Sequence, residues 1–189
     1  SFHVTGVQTC ALPICGFHRV HYRVANAQGV FLADDVFATG AESGEQTEPS
    51  LAVLKNGNSV LAWTDYRADG SVKGVSARVI GADGTAVTDP FRLNEFSLGN
   101  QHKSRLVALP SGGFAAVWVS DQQQDAKSPD AVARILSANG QALGTEDVAN
   151  APGISPYPSV APSGGALVVA WEQLNLKQKH HRGDSPAPR

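Results

Sequence analysis

Leu61-Ala62-Trp63, Ala116-Val117-Trp118 and Val169-Ala170-Trp171 set three tryptophans at one position of a recurring phrase, spaced 55 and then 53 residues apart. Such a period makes the chain a tandem array, in which each unit buries its apolar face against its neighbours and none needs to close a core alone. This periodicity constrains architecture more tightly than any local motif in the chain. It does not by itself specify an activity.

Four marks keep step with one another. A turn precedes each tryptophan phrase, at Lys55-Asn56-Gly57-Asn58, Pro110-Ser111-Gly112-Gly113 and Pro162-Ser163-Gly164-Gly165, supplying residues that accept positive φ. After the phrase, Val75-Ser76-Ala77-Arg78-Val79 repeats as Ala131-Val132-Ala133-Arg134-Ile135 and earlier as Val20-His21-Tyr22-Arg23-Val24. A tight turn follows each of these, at Ala27-Gln28-Gly29, Ala82-Asp83-Gly84 and Ala138-Asn139-Gly140, and Asp-Gly and Asn-Gly there favour hairpins. A short extended segment closes the unit, Phe91-Arg92-Leu93-Asn94 and its echo Asp147-Val148-Ala149-Asn150. The spacing predicts four strands per unit, near 50–54, 59–64, 73–80 and 90–94 in the first full copy.

The second of these strands, Ser59-Val60-Leu61-Ala62-Trp63, is apolar on both faces, which a strand tolerates only when it is covered above and below. The third alternates, with Val75, Ala77 and Val79 on one face and Ser76 and Arg78 on the other. Four-stranded sheets with doubly covered central strands, repeated about every 55 residues, describe an all-β, partial β-propeller built from four-stranded blades. A β-solenoid-like array is the alternative. The chain divides into the second half of a blade at 16–48, blades at 49–103 and 104–157, and the start of a blade at 158–173. Closed propellers use four to eight blades, so this number of units points to part of a longer ring.

The two ends read differently. Val4 to Ile14 resembles the translation of a short-read sequencing adapter, so residues 1–15 are expected to be an adapter-derived artefact and are set aside. Both cysteines, Cys10 and Cys15, go with them and leave no disulfide to argue from. At the other end the pattern breaks after Gln173, and 174–189 reads as a suspect or disordered tail. That tail holds four of the 15 basic and one of the 17 acidic side chains, leaving residues 16–173 at net charge −5. An acidic, lysine-poor surface argues against nucleic acid as partner, since phosphate neutralisation needs cations. No apolar stretch is long enough to cross a membrane as a helix.

Trp63, Trp118 and Trp171 lie on the most apolar strand and are expected to pack between sheets, rather than to stack on sugars. Arg23, Arg78 and Arg134 recur in phase and are expected in structural ion pairs or cation–π contacts, with acids such as Asp65 or Asp121 as partners. The turn glycines Gly29, Gly84 and Gly140 complete the set of structural repeat marks. Binding candidates come from the long connections Asp65 to Lys73 and Asp121 to Asp130, which differ in sequence while the strands agree: Asp65, Arg67, Asp69, Lys73, Asp121 and Asp125. Asp65, Asp69 and Gly70 have something of a calcium loop, but the spacing does not repeat in the next unit, and no cofactor or metal is expected. Arg182-Gly183-Asp184 and the adjacent His180 and His181 fall in the tail and are discounted. His18, His21 and His102 have no nucleophile motif beside them, and neither a phosphate-cradling glycine loop nor a zinc-type spacing occurs.

Pro-Ser-Leu/Val-Ala, the glycine turn, apolar-Trp, Ala-Arg-Val/Ile and Ala-Asp/Asn-Gly together resemble a family of bacterial propeller-like tandem repeats, over Gly16 to about Gln173. Ser104-Arg105 stands where the preceding unit has Pro49-Ser50, and the last unit is shortened after Ala161. The resemblance implies a secreted or cell-surface protein, extracellular or in the cell envelope, and brings no catalytic residues. The expected function is a non-catalytic segment that binds protein or glycan through propeller loops, with further blades of the same protein as its neighbours. A fragment of a propeller-type glycan hydrolase and a purely structural spacer are the alternatives. Asp65, Asp121 and Glu172 converging on a shared axis would favour the hydrolase.

Overall fold

The computed structural model describes residues 17–39, 44–66, 72–123, 128–149 and 157–172, and all structural statements concern these. Residues 1–16, Arg67, Asp69, Asp125 and everything after Glu172 lie outside the described residues, and with them the adapter-like segment, the two cysteines and the tail tripeptide. The described chain is all β. Its strands are β1 (His21–Tyr22), β2 (Val36–Phe37), β3 (Gln46–Val53), β4 (Ser59–Tyr66), β5 (Lys73–Ile80), β6 (Phe91–Arg92), β7 (Gln101–Ala108), β8 (Phe114–Ser120), β9 (Asp130–Leu136), β10 (Asp147–Val148), β11 (Ser159–Ser163) and β12 (Ala166–Ala170).

Strands β3 to β6 form one antiparallel four-stranded meander and β7 to β10 the next, flanked by the two-stranded sheets β1–β2 and β11–β12. Two complete propeller blades thus stand between two half-blades. Turns join β3 to β4 and β7 to β8 at Gly57 (φ 86°) and Gly112 (φ 100°), where a side chain would be strained. Asn56 helps close the first turn, its Oδ1 accepting the Asn58 amide at 3.1 Å.

Register assigns the faces. Trp63 pairs with Ser76 and Leu61 with Arg78, so these four share one face of the second blade. Val60, Ala62, Val75 and Ala77 share the other. The tryptophan face lies against Val20, Tyr22 and Ala38 of the preceding half-blade. The opposite face lies against Phe114, Ala116, Trp118 and Val132, the tryptophan face of the following blade. These two interfaces are therefore built the same way: the tryptophan side of one unit on the alternating side of the unit before it. Trp63 and Trp118 are fully buried, each contributing about 4–6 kcal/mol of transfer free energy as an upper bound. Trp171, in the last half-blade, is half-buried.

The first strands of successive blades touch one another, β3 with β7 and β7 with β11, and so form a continuous inner wall. Leu106 donates its amide to Ser50 Oγ across that wall at 3.1 Å. The inner strands of the two complete blades each carry an irregularity near the start. The β3–β4 register slips between Thr47 and Ser50, and the β7–β8 register between His102 and Arg105. At those slips Glu48 (φ 55°) and Lys103 (φ 57°) occupy left-handed backbone, as does Tyr157 (φ 62°) in the last unit. Pro49 follows Glu48 in the first bulge, where the unpaired position needs no amide donor.

The in-phase arginines act differently from the sequence expectation. Arg78 donates to Thr88 O (2.9 Å) in its own blade and to Ala38 O (3.1 Å) in the blade before. Arg134 repeats this with Gly144 O (3.4 Å) and Leu93 O (2.7 Å), and adds the Glu95 carboxylate. Arg23 reaches Ala33 O (3.1 Å) and Asp35 (3.3 Å) and lies 4.1 Å over the Phe31 ring. Ion pairing and cation–π contact thus occur, with Asp35, Glu95 and Phe31, while the main partners are backbone carbonyls. Register explains why Asp65 is not the partner: it pairs opposite Gly74, four strand positions from Arg78 and about 13 Å along the sheet. The face that looks polar in sequence is buried between blades, because a guanidinium can satisfy carbonyls of both sheets at once.

Candidate functional site

All described binding candidates lie at one end of the sheets, where β3 and β7 begin, β4 and β8 end, and β5 and β9 begin. Asp65 is nearly buried and accepts the Trp63 indole N–H at 3.1 Å. Its counterpart in the next blade is Ser120, which leaves the buried Trp118 Nε1 without an acceptor among the described residues. Asp65 therefore braces a core tryptophan rather than facing a ligand.

Asp121 sits in a different environment. It accepts from Asn100 Nδ2 at 2.8 Å, and His102 Nε2 lies 3.2 Å away. The His102 hydrogen bond holds its carboxyl below the usual carboxylate range, helped by Asn100 and by the charges of His102 and Lys73, while burial works the other way. Lys73 forms a bridge with Asn100, and its ammonium lies 5.0 Å over the Tyr66 ring. The second and third blades thus contribute Lys73 and Tyr66 on one side and Asn100, His102 and Asp121 on the other to one polar cluster at their junction.

Beside this cluster runs a ladder that sequence reasoning missed. Glu48 Oε2 accepts the Thr64 hydroxyl (2.7 Å) and the Lys103 amide (3.0 Å), and the Lys103 ammonium lies 4.2 Å over the Tyr157 ring. Each strained residue therefore reaches its counterpart in the next blade. Glu48 and Lys103 are 55 residues apart, and Lys103 and Tyr157 are 54. Phase alone marks these positions; residue identity differs at each, so self-comparison of the sequence passes over them. Left-handed backbone at three equivalent non-glycine positions costs about 1–3 kcal/mol each and characteristically clusters at binding and catalytic sites.

Three described carboxylates at this end are separately engaged: Asp65 by Trp63, Asp121 by Asn100 and His102, and Glu48 by Thr64 and the Lys103 amide. Glu172 is exposed just beyond β12. Among the described residues no group of three or more His, Cys, Asp or Glu is placed to hold a metal ion. The opposite end carries a shallow groove of about 400 Å³ between turns, bordered by Lys55, Asn56, Gly112 and Leu143. It has neither carboxylate nor backbone strain of the non-glycine kind.

Comparison with known proteins places this arrangement in a fold but not in a family. No protein-family profile matches the chain, and no curated protein matches it in sequence. Two solved structures are similar in fold. One is a protein of unknown function from Dyadobacter fermentans (TM-score 0.61, 13% identity), matched over 84% of this chain and 52% of that one. The other is an endo-arabinase from Bacteroides thetaiotaomicron (TM-score 0.54, 16% identity), matched over 82% of this chain and 61% of that one. The chain thus spans about half to three fifths of the length of these structures. At such identity the likeness concerns the backbone, and it agrees with the blade architecture read from the strands.

Proposed function

We propose that the chain is a non-catalytic propeller segment of a secreted or cell-surface bacterial protein that binds a glycan at the end of its inner strands. The observation that carries this reading is the ladder Glu48–Lys103–Tyr157, in which strained residues of three units are linked one to the next beside a cluster of Tyr66, Lys73, Asn100, His102 and Asp121. Strain kept at equivalent positions needs a reason beyond folding, because glycine would adopt the same backbone at little penalty. Amides, carboxylates, imidazole and phenol rings around one rim are the groups that hydrogen-bond and stack on sugar rings.

A non-catalytic role is favoured by the separate engagement of Asp65 and Asp121. Hydrolysis of a glycosidic bond needs two carboxyls facing one another across about 5–10 Å, one to protonate and one to attack or activate water. The second reading, a piece of a glycan hydrolase, is favoured by the endo-arabinase likeness, with further blades supplying the missing acids. Affinity electrophoresis of the full chain against immobilised plant and bacterial polysaccharides, arabinan among them, with a parallel assay for reducing-sugar release, separates the readings. Retardation without release supports binding; release abolished by Asp121→Asn supports the hydrolase; neither retardation nor release removes the glycan reading.

A further inference from the structure

Among the described residues, two cations at the candidate end make no ion pair with a carboxylate. The ion pairs among the described residues join His18 to Glu45, Arg23 to Asp35, His102 to Asp121 and Arg134 to Glu95, so none uses Lys73 or Lys103. Both ammonium groups rest instead on tyrosine rings, Lys73 on Tyr66 and Lys103 on Tyr157. A cation–π contact at a partly open site is worth about 0.5–1 kcal/mol and leaves the ammonium's hydrogen-bond donors unused by anions. Asp121 feels the Lys73 charge but is hydrogen-bonded to Asn100 and His102, and Glu48 is engaged by Thr64 and the Lys103 amide.

The two lysines are also neighbours in the backbone. Lys73 bridges to Asn100, and Lys103 lies three residues further along the chain, in the bulge of β7. Lys103 cannot drift, because its backbone is pinned to Glu48 and locked in left-handed conformation. Tyr157 is 61% exposed, so the ring beneath the Lys103 ammonium is open to a sugar face as well. A residue pair that combines a cation outside the described ion pairs with an accessible aromatic ring selects a ligand that is both anionic and amphipathic.

Resting on the glycan-binding reading above, we infer that Lys73 and Lys103 form two subsites for the carboxylate groups of an acidic polysaccharide, with Tyr157 against an adjoining sugar ring. Each ammonium supplies a charge-assisted hydrogen bond to one carboxylate. Because the net charge of the repeat region is acidic, attraction is local to these lysines and not a property of the whole surface.

Affinity electrophoresis of the full chain in gels containing polygalacturonate or neutral arabinan tests this. Stronger retardation by polygalacturonate is expected, weakened about fivefold by Lys103→Met or Lys73→Met, kept by Lys103→Arg and lost in high salt. Fluorescence of the buried tryptophans confirms that each variant is folded. Retardation by polygalacturonate that both methionine variants leave unchanged overturns the inference. Retardation by arabinan alone overturns it too while leaving glycan binding intact, and retardation by neither polymer removes both.

Discussion

The in-phase arginines offer a graded perturbation whose magnitudes come directly from their surroundings. Arg134 is only 7% exposed in its side chain and holds two carbonyls, one of them across the blade interface, and the Glu95 carboxylate. Replacing it by methionine keeps most of the apolar volume and removes every donor. With charge-assisted bonds worth about 1.5–3 kcal/mol and buried acceptors left unmet, a loss of about 4 kcal/mol is expected. Arg78→Met removes two carbonyl bonds, to Thr88 and Ala38, and should cost about 3 kcal/mol. Arg23 is 35% exposed, its bonded partners lie within its own unit, and its ion pair is screened by solvent, so Arg23→Met should cost under about 1 kcal/mol. In urea, with a slope of about 2 kcal/mol/M, these figures become midpoint shifts of about 2, 1.5 and less than 0.5 M, read by tryptophan fluorescence. Equal shifts for the three variants, or the largest for Arg23, would refute the inter-blade role.

Three further outcomes follow from named contacts. An added Cβ at Gly140 falls 2.3 Å from the Phe91 ring, at Gly84 3.2 Å from Val24, and at Gly29 in open space, all at positive φ; alanine should therefore destabilise in the order 140, 84, 29, with about 1 kcal/mol of backbone strain common to all, measured as melting temperature. The carboxyl of Asp121 is held below its ordinary range, so its contribution to stability is present above about pH 4 and lost as pH falls through the depressed folded value; Asp121→Asn should flatten that acid limb in pH-dependent denaturation. Lys103→Gly relieves left-handed strain and should leave stability unchanged or raise it by up to about 1 kcal/mol in urea melts, whereas Glu48→Gly also loses the Thr64 and Lys103 bonds and should lower it.

Much of the fold was legible in the sequence because it rests on period and alternation. The strand expected at 73–80 is β5 residue for residue, and that expected at 59–64 runs two residues further, to Tyr66. Burial of Trp63 and Trp118 followed from strands apolar on both faces, and Val75, Ala77 and Val79 do share a face. The candidate site was less legible. Asp65, Lys73 and Asp121 lie at one end of the sheets, but only Lys73 and Asp121 belong to one cluster, since Asp65 turns inward to Trp63. The ladder was invisible because a bulge is a backbone event: Glu48, Lys103 and Tyr157 have no chemistry in common, and positive φ without glycine leaves no compositional trace. Arg78 and Arg134 each bond one carbonyl of their own blade and one of the blade before, and the second partner is something that spacing within one unit cannot indicate.

The most direct test of a binding rim at the inner-strand ends is a two-dimensional 1H–15N NMR titration of the full chain with oligogalacturonate. Shifts confined to Glu48, Thr64, Lys73, Asn100 to Lys103 and Tyr157 are expected. Shifts centred on the opposite turns, at Asn56 and Gly112, would contradict a site at this end, as would an unchanged spectrum with arabinan and galacturonate oligosaccharides alike.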